Sequence, residues 1–102
     1  MAVWFVSRHP GAIDWMAAQA DWQVDHWVAH LHVDEVQAGD VVLGTLPLGM
    51  AADVCAKGAR FWFLEVPMQA TQRGQELSAA LMTDMGWRLT ECVLQRRPVT
   101  WE

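Results

Sequence analysis

Three short apolar runs constrain the fold of this 102-residue chain more than any other feature. They cover residues 3–6, 41–45 and 61–64, and apolar and polar positions do not alternate along them. Such runs are typical of strands covered on both faces, as in the parallel sheets of α/β proteins. The sequence therefore predicts an α/β fold with a mainly parallel sheet, and the length fits one domain over residues 1–102.

Apolar residues recur at helical spacing in the segments that follow these runs. The pattern predicts three helices, over residues 10–19, from Pro47 to Gly58, and over residues 73–85. Pro10 suits the first position of the first helix, because its missing N–H costs no hydrogen bond there. Helices that connect parallel strands cover both faces of the sheet, so we expect a three-layer sandwich.

Residues 25–33 follow a different pattern, because apolar residues alternate there with three histidines and a valine. Alternation predicts a strand with one buried face, as at the edge of a sheet. The tail from Trp87 to Val99 predicts a last edge strand, with Trp87, Leu89 and Val93 on one side. The simplest arrangement is flavodoxin-like, with strand order 2-1-3-4 plus the C-terminal edge strand.

Ligands of such sheets bind outside the carboxyl ends of the strands, where the chain reverses direction between strands 1 and 3. This rule selects a first loop that contains Ser7, Arg8, His9, Pro10 and Gly11. A helix start there supplies amide donors and a positive dipole for a phosphate. Arg8 adds a planar set of donors, and His9 can transfer a proton near neutral pH. In the alternative interpretation, Ser7 only caps the helix, and Arg8 and His9 are solvated loop residues.

The facing loop contains Gly44, Thr45, Leu46 and Pro47. Gly44 permits close approach of a backbone or a ligand, and it can instead relieve crowding between strand and helix. Thr45 offers a hydroxyl beside the second helix N-terminus. Arg73, at the start of the third helix, could bring a second positive group to the same end of the sheet.

Two other groups of residues have simpler interpretations. His26, His30 and His32 share a strand face near carboxylates, a set that suits zinc or nickel, but no CxxC or HExxH pattern is present. An exposed edge face is favoured there, and no metal or cofactor is predicted. The seven tryptophans are expected mainly in the core. Trp15 is the candidate for stacking on a base near the crevice, and an exposed Trp101 would indicate an oligomer contact.

Net charge limits the partners of the chain. Seven Lys and Arg stand against twelve Asp and Glu, for a formal charge of −5. A long nucleic acid needs many cations to neutralise its phosphates and is excluded, whereas a small anionic ligand is not. No apolar stretch reaches the roughly 20 residues that span a membrane, and the N-terminus lacks the basic region of a signal peptide. We therefore expect a cytoplasmic protein, with Cys55 and Cys92 as reduced thiols.

Four segments together resemble one known family. They are VWFVSRHPGA (3–12), GDVVLGTLP (39–47), AADVCAKGAR (51–60) and RGQELS (73–78). They resemble the small CRISPR-associated accessory family found beside type III systems, although the chain is unusually rich in tryptophan and residues 87–102 carry no resemblance. The resemblance implies a Rossmann-like domain, related to CARF sensor domains, that handles cyclic oligoadenylate messengers.

The resemblance further implies a ring nuclease that cleaves cyclic tetra-adenylate and switches type III signalling off. In this chemistry the 2′-OH of one adenosine attacks its own 3′-phosphate, and no metal is required. A homodimer would enclose the ring across its two-fold axis. The alternatives are a non-catalytic sponge for the same messenger and a scaffold protein that binds no nucleotide.

The roles of the site residues follow from this chemistry and from the residue types of the two loops. His9 is expected to be the general acid or base, and Arg8, with the amides after Pro10, to stabilise charge on the phosphate. The other predicted ligand-binding residues belong to the two loops and to the third helix: Ser7, Pro10, Gly11, Gly44, Thr45, Leu46, Pro47 and Arg73.

Overall fold

The computed structural model describes residues 1–65 and 86–98, and five strands of this part form one sheet. They are β1 (Val3–Val6), β2 (His26–Val28), β3 (Val41–Gly44), β4 (Arg60–Glu65) and β5 (Arg88–Cys92). Their order across the sheet is β2-β1-β3-β4-β5. The first four are parallel and β5 is antiparallel to β4, so the predicted α/β class with a mainly parallel sheet is confirmed.

Two helices of the described residues, α1 (Pro10–Ala17) and α2 (Leu48–Ala56), cover opposite faces of the sheet. The core residues of one face share a cluster with α1: Phe5, Leu43, Leu64, Trp15 and Met16. Those of the other face share a cluster with α2: Trp4, Val42, Phe61, Ala51 and Val54. Because neighbouring residues along each central strand are buried against different helices, these strands have no polar face. Neither helix is long and apolar enough to cross a membrane.

The third predicted helix, over residues 73–85, lies outside the described residues. The same holds for Arg73 and Trp101, so their predicted roles stay predictions.

The edge strand is shorter than the alternation predicts. β2 covers His26–Val28 only, because β1 is its single neighbour and their pairing runs from Trp4 opposite His26 to Val6 opposite Val28. Beyond β2 the chain turns, and Leu31 is buried against the α2 face before a 3₁₀ turn at Val33–Glu35. The expected buried face of this strand is also wrong, because Trp27 is 45% exposed.

Asp40 precedes β3 and forms hydrogen bonds to β1 and to the residue before it. Among the described residues, it is the charged residue that is buried. Its Oδ1 accepts a hydrogen bond from Ala2 N at 2.9 Å. Its Oδ2 accepts from Trp4 Nε1 at 3.2 Å and from Gln37 N at 3.0 Å. Burial raises the pKa of Asp40, but the hydrogen bonds outweigh it, so the pKa lies below its ordinary value.

β5 is held to β4 at both ends by arginine–carboxylate pairs across the strands. Arg88 Nε lies 2.7 Å from Glu65 Oε2, and Arg60 Nε lies 2.6 Å from Glu91 Oε2. The strand ends at Cys92, well before the predicted Val99. Both pairs are at the surface, where solvent screens the charges, so we expect them to contribute little to stability.

Candidate functional site

The chain reverses direction at the carboxyl ends of β1 and β3, which are neighbouring parallel strands. Residues 7–9 lead from β1 to α1 on one face, and residues 45–47 lead from β3 to α2 on the other. The two loops therefore leave adjacent strand ends toward opposite faces of the sheet, which is the crevice position where ligands bind in open α/β sheets. The sequence selected these same two loops, and they follow adjacent strand ends. The groove beside Arg8 is lined by the first loop and by residues of β1, α1 and β2, and it includes none of residues 44–47.

Gly44 ends β3 in direct contact with β1. Its φ is +124°, and a Cβ at this position would lie 2.3 Å from the carbonyl oxygen of Val6. No side chain fits in this space, so the glycine permits close approach of two backbones. Two roles were predicted for Gly44: close approach of a backbone or ligand, and relief of crowding between strand and helix. The structure shows close approach to the backbone of Val6.

The next three residues form the start of the second helix. Thr45 is exposed, and its N–H donates to Val6 O at 3.4 Å. Leu46 packs against the core cluster of the α2 face. Pro47 is the N-cap of α2 and supplies no side-chain hydrogen bond, so the first-turn amides of α2 have no side-chain cap. Of these three residues, only Thr45 carries a side-chain hydrogen-bonding group, and it is exposed.

His9 caps α1 with its own ring. Its Nδ1 accepts a hydrogen bond from Gly11 N at 3.2 Å, and its backbone N donates to Ser7 Oγ at 3.1 Å. The carbonyl oxygen of His9 accepts from Ala12 N at 3.0 Å. The predicted cap, Ser7, is therefore wrong, because Ser7 closes the turn before the helix and His9 caps it. The amides after Pro10 are already bonded and do not offer the vacant donors that the sequence suggested.

This cap determines the tautomer of neutral His9. A ring nitrogen that accepts a hydrogen bond carries no proton, so the proton of the neutral ring lies on Nε2. If Nδ1 takes up a proton, it becomes a donor and the bond from Gly11 is lost. Proton transfer at Nδ1 and capping of α1 therefore exclude one another.

Positive charge at this end of the sheet comes from Arg8 and from both helix starts. Arg8 is exposed, and the ion pairs within residues 1–65 and 86–98 involve Arg60, Arg88 and Arg96 instead. Neither α1 nor α2 has an acidic residue in its first turn. The positive ends of both helix dipoles are thus uncompensated by their own side chains, although the whole chain is acidic. The arrangement suits a small anion.

Two residues near this end were missed by the sequence analysis. Trp27 of β2 lies beside Ser7 and Arg8 on a common groove. Arg96 reaches the first turn of α2, where its Nη2 donates to Gly49 O at 3.1 Å. The hydrogen bond and the charge of Asp53 raise the pKa of Arg96, so this cation is partly compensated. Neither residue belongs to a motif, and only strand pairing and tertiary contact bring them here.

Trp15 has the simpler of its predicted interpretations, and the predicted histidine face is wrong, because His30 and His32 lie beyond the end of β2. Trp15 is 4% exposed in the core, so stacking on a base is wrong for this residue. The ring centroids of His26 and Trp4 are 4.2 Å apart, which makes His26 a packing residue. Across the described ranges, no three His, Cys, Asp or Glu side chains converge as a metal site would require.

Comparison with known proteins gives one family match. Neither the curated proteins nor the solved structures contain a match to the chain. A family model described as "Putative CRISPR-associated protein (Cas_VVA1548)" matches residues 4–95, which include both loops of the crevice. The match covers most of the 102 residues. The chain therefore belongs to the Cas_VVA1548 family of CRISPR-associated proteins.

Proposed function

We propose that the protein is a ring nuclease that binds and cleaves a cyclic oligoadenylate messenger, with cyclic tetra-adenylate as its substrate. The observation that carries the proposal is the position of Arg8 and His9 between two helix N-termini without acidic first turns. Membership of a CRISPR-associated family supports a role beside a CRISPR system, which is where such messengers act.

The reaction needs groups that hold a phosphodiester in line and move two protons. The 2′-oxygen of one adenosine forms a bond to its own 3′-phosphorus, and the bond from that phosphorus to the 5′-oxygen of the next adenosine breaks. The 2′-OH loses a proton, and the 5′-oxygen gains one. The product ends in a 2′,3′-cyclic phosphate and a 5′-OH, and the nucleophile belongs to the substrate itself.

Arg8 and His9 divide this work. The Arg8 guanidinium donates to the non-bridging phosphate oxygens, whose charge grows in the transition state. In its capping position His9 carries its proton on Nε2, which can donate to an oxygen of the substrate. When the ring leaves the cap, Nδ1 can exchange a proton with the substrate, and the Gly11 N–H becomes a further donor for the phosphate. Ser7 keeps its O–H as a donor while its oxygen accepts from His9 N.

The size of the ligand favours a homodimer. The groove beside Arg8 has a volume of about 230 Å³. Pockets that enclose a drug-sized ligand usually have about 300–1,000 Å³, so this groove fits a part of a four-nucleotide ring. Two copies related by a two-fold axis would present two such grooves to one ring.

Turnover with excess labelled cyclic tetra-adenylate tests the proposal. We expect more than one ring to be cleaved per protein chain, with a 2′,3′-cyclic phosphate at the product terminus. Ring recovered intact after denaturation of a tight complex would instead identify a sponge. That alternative is favoured by the engagement of His9 Nδ1 in the helix cap. Absence of any thermal shift with the ring would contradict both and favour a scaffold protein.

A further inference from the structure

Trp27 is half exposed, and its ring packs against Phe5. The register sets Trp27 opposite Phe5, and the two ring centroids lie 5.6 Å apart at 65°. Because β2 is the edge strand, no further strand of the described residues covers Trp27 from outside. The residue is 45% exposed, so a large part of a flat aromatic ring is open to solvent.

The exposed ring belongs to a groove that combines apolar walls with one cation. Ile13 of α1, itself 38% exposed, lines this groove together with Trp27, Phe5, Ser7 and Arg8. Arg8 has no carboxylate partner within the described ranges. The groove thus offers an aromatic ring and an aliphatic wall next to a guanidinium and a hydroxyl.

We infer that this groove is a nucleobase subsite, in which an adenine of the ring stacks on Trp27 while the adjoining phosphate contacts Arg8. The inference rests on the proposed function, and it names the residue that holds the base. Aromatic side chains bind bases of single-stranded nucleic acids by stacking, next to cations that contact the backbone. The groove volume of about 230 Å³ suits one base rather than the whole ring.

The charge of the groove favours a nucleotide over a protein partner. A purely apolar segment would leave the Arg8 guanidinium without an anionic partner, whereas a nucleotide supplies a flat apolar ring and an anion together. Trp27 would act on affinity, because it contacts the base and lies away from the phosphorus that reacts. Arg8 and His9 would act on the reaction itself.

The test compares Trp27→Leu and Trp27→Phe with Trp62→Phe by calorimetric titration of cyclic tetra-adenylate. Trp62 is a matched control, because it is a half-buried strand tryptophan with an arginine, Arg60, 5.9 Å from its ring. Stacking of a base on an aromatic ring contributes about 1–3 kcal/mol, so Trp27→Leu should raise Kd about 5- to 100-fold. Trp27→Phe should raise it less, and Trp62→Phe should leave both Kd and the cleavage rate unchanged.

The outcomes separate the subsite from the proposed function. Wild-type protein that neither binds nor cleaves the ring would overturn both. Wild-type binding that Trp27→Leu leaves unchanged, or weakens no more than Trp62→Phe does, would overturn the subsite alone. A loss of affinity confined to Trp27, with circular dichroism of the variant unchanged, would support it. Wild-type tryptophan fluorescence should also respond to the ring, and Trp27→Phe should remove that response.

Discussion

Asp40→Asn should destabilise the protein, because Asp40 is a buried acceptor for three donors from separate parts of the chain. Ala2 N, Trp4 Nε1 and Gln37 N all donate to this carboxylate, at 2.9, 3.2 and 3.0 Å. An asparagine keeps the shape of the side chain but replaces one oxygen with an NH₂ group. At least one of the three donors would then face another donor.

The expected loss follows from the positions of the donors. If the amide oxygen of the asparagine takes the place of Oδ2, it still accepts from Trp4 and Gln37, and Ala2 N loses its partner. A hydrogen bond to a charged group contributes about 1.5–3 kcal/mol, and neutral hydrogen bonds are roughly half as strong. We therefore expect Asp40→Asn to lower the free energy of unfolding by about 2–4 kcal/mol at neutral pH.

The loss should depend on pH in one direction. The pKa of Asp40 is lowered in the folded protein, so the carboxylate contributes stability above the pKa of the unfolded chain, near 4. That contribution is lost as the pH falls through the lower, folded pKa. The difference between wild type and Asp40→Asn should thus be constant from about pH 5 to 7 and shrink below about pH 4.

Urea unfolding followed by tryptophan fluorescence measures this difference at each pH. Asp14→Asn is the control, because Asp14 is exposed on α1 and should change stability by less than about 0.5 kcal/mol. An Asp40→Asn variant as stable as wild type at neutral pH would refute the reasoning. A loss that stays the same down to pH 3 would show that charge on Asp40 contributes nothing.

Three further predictions follow from the strand contacts, the charge and the proposed dimer. Gly44→Ala should cost about 2–5 kcal/mol by urea unfolding, because its Cβ would meet Val6 O in a backbone conformation unfavourable to alanine, and wild-type stability would contradict this. Arg8→Gln should weaken binding of cyclic tetra-adenylate and reduce the salt dependence of Kd, whereas Arg60→Gln, at the opposite end of the sheet, should do neither. Equal effects of the two would refute the phosphate role of Arg8. Light scattering should give the mass of a dimer with the ring bound, and a monomer with and without ring would exclude the dimer.

The central strands of the sheet were predictable, because continuous apolar runs of this length are typical of strands buried on both faces. Residues 3–6 and 41–44 are apolar without alternation, and strands with this pattern must be covered by helices on both faces. The lengths of the edge strands were less predictable. An edge strand pairs with one neighbour only, so it extends only as far as that neighbour offers backbone partners. The alternation over residues 25–33 predicted nine strand residues, and pairing with β1 supports only His26–Val28.

The candidate site likewise has parts that the sequence predicts and parts that it does not. The loops after β1 and β3 were predictable, since the topology of a parallel sheet fixes which strand ends meet. The role of His9 as the cap of α1 was not, because serine is the more usual capping residue and the choice between Ser7 and His9 depends on the turn geometry. Trp27 could not be placed from its sequence, because its exposure follows from where β2 ends and from its contact with Phe5.

Cleavage of cyclic tetra-adenylate by wild-type protein and by His9→Asn is the most direct test of the proposed site. Asparagine is a favoured N-cap residue, so its amide oxygen can replace Nδ1 as acceptor for Gly11 N–H while proton transfer is lost. We predict that His9→Asn folds and binds the ring like wild type, and that its single-turnover cleavage is about 10²–10⁴-fold slower. Cleavage by His9→Asn at the wild-type rate would contradict the assignment, because it would leave His9 as a helix cap alone.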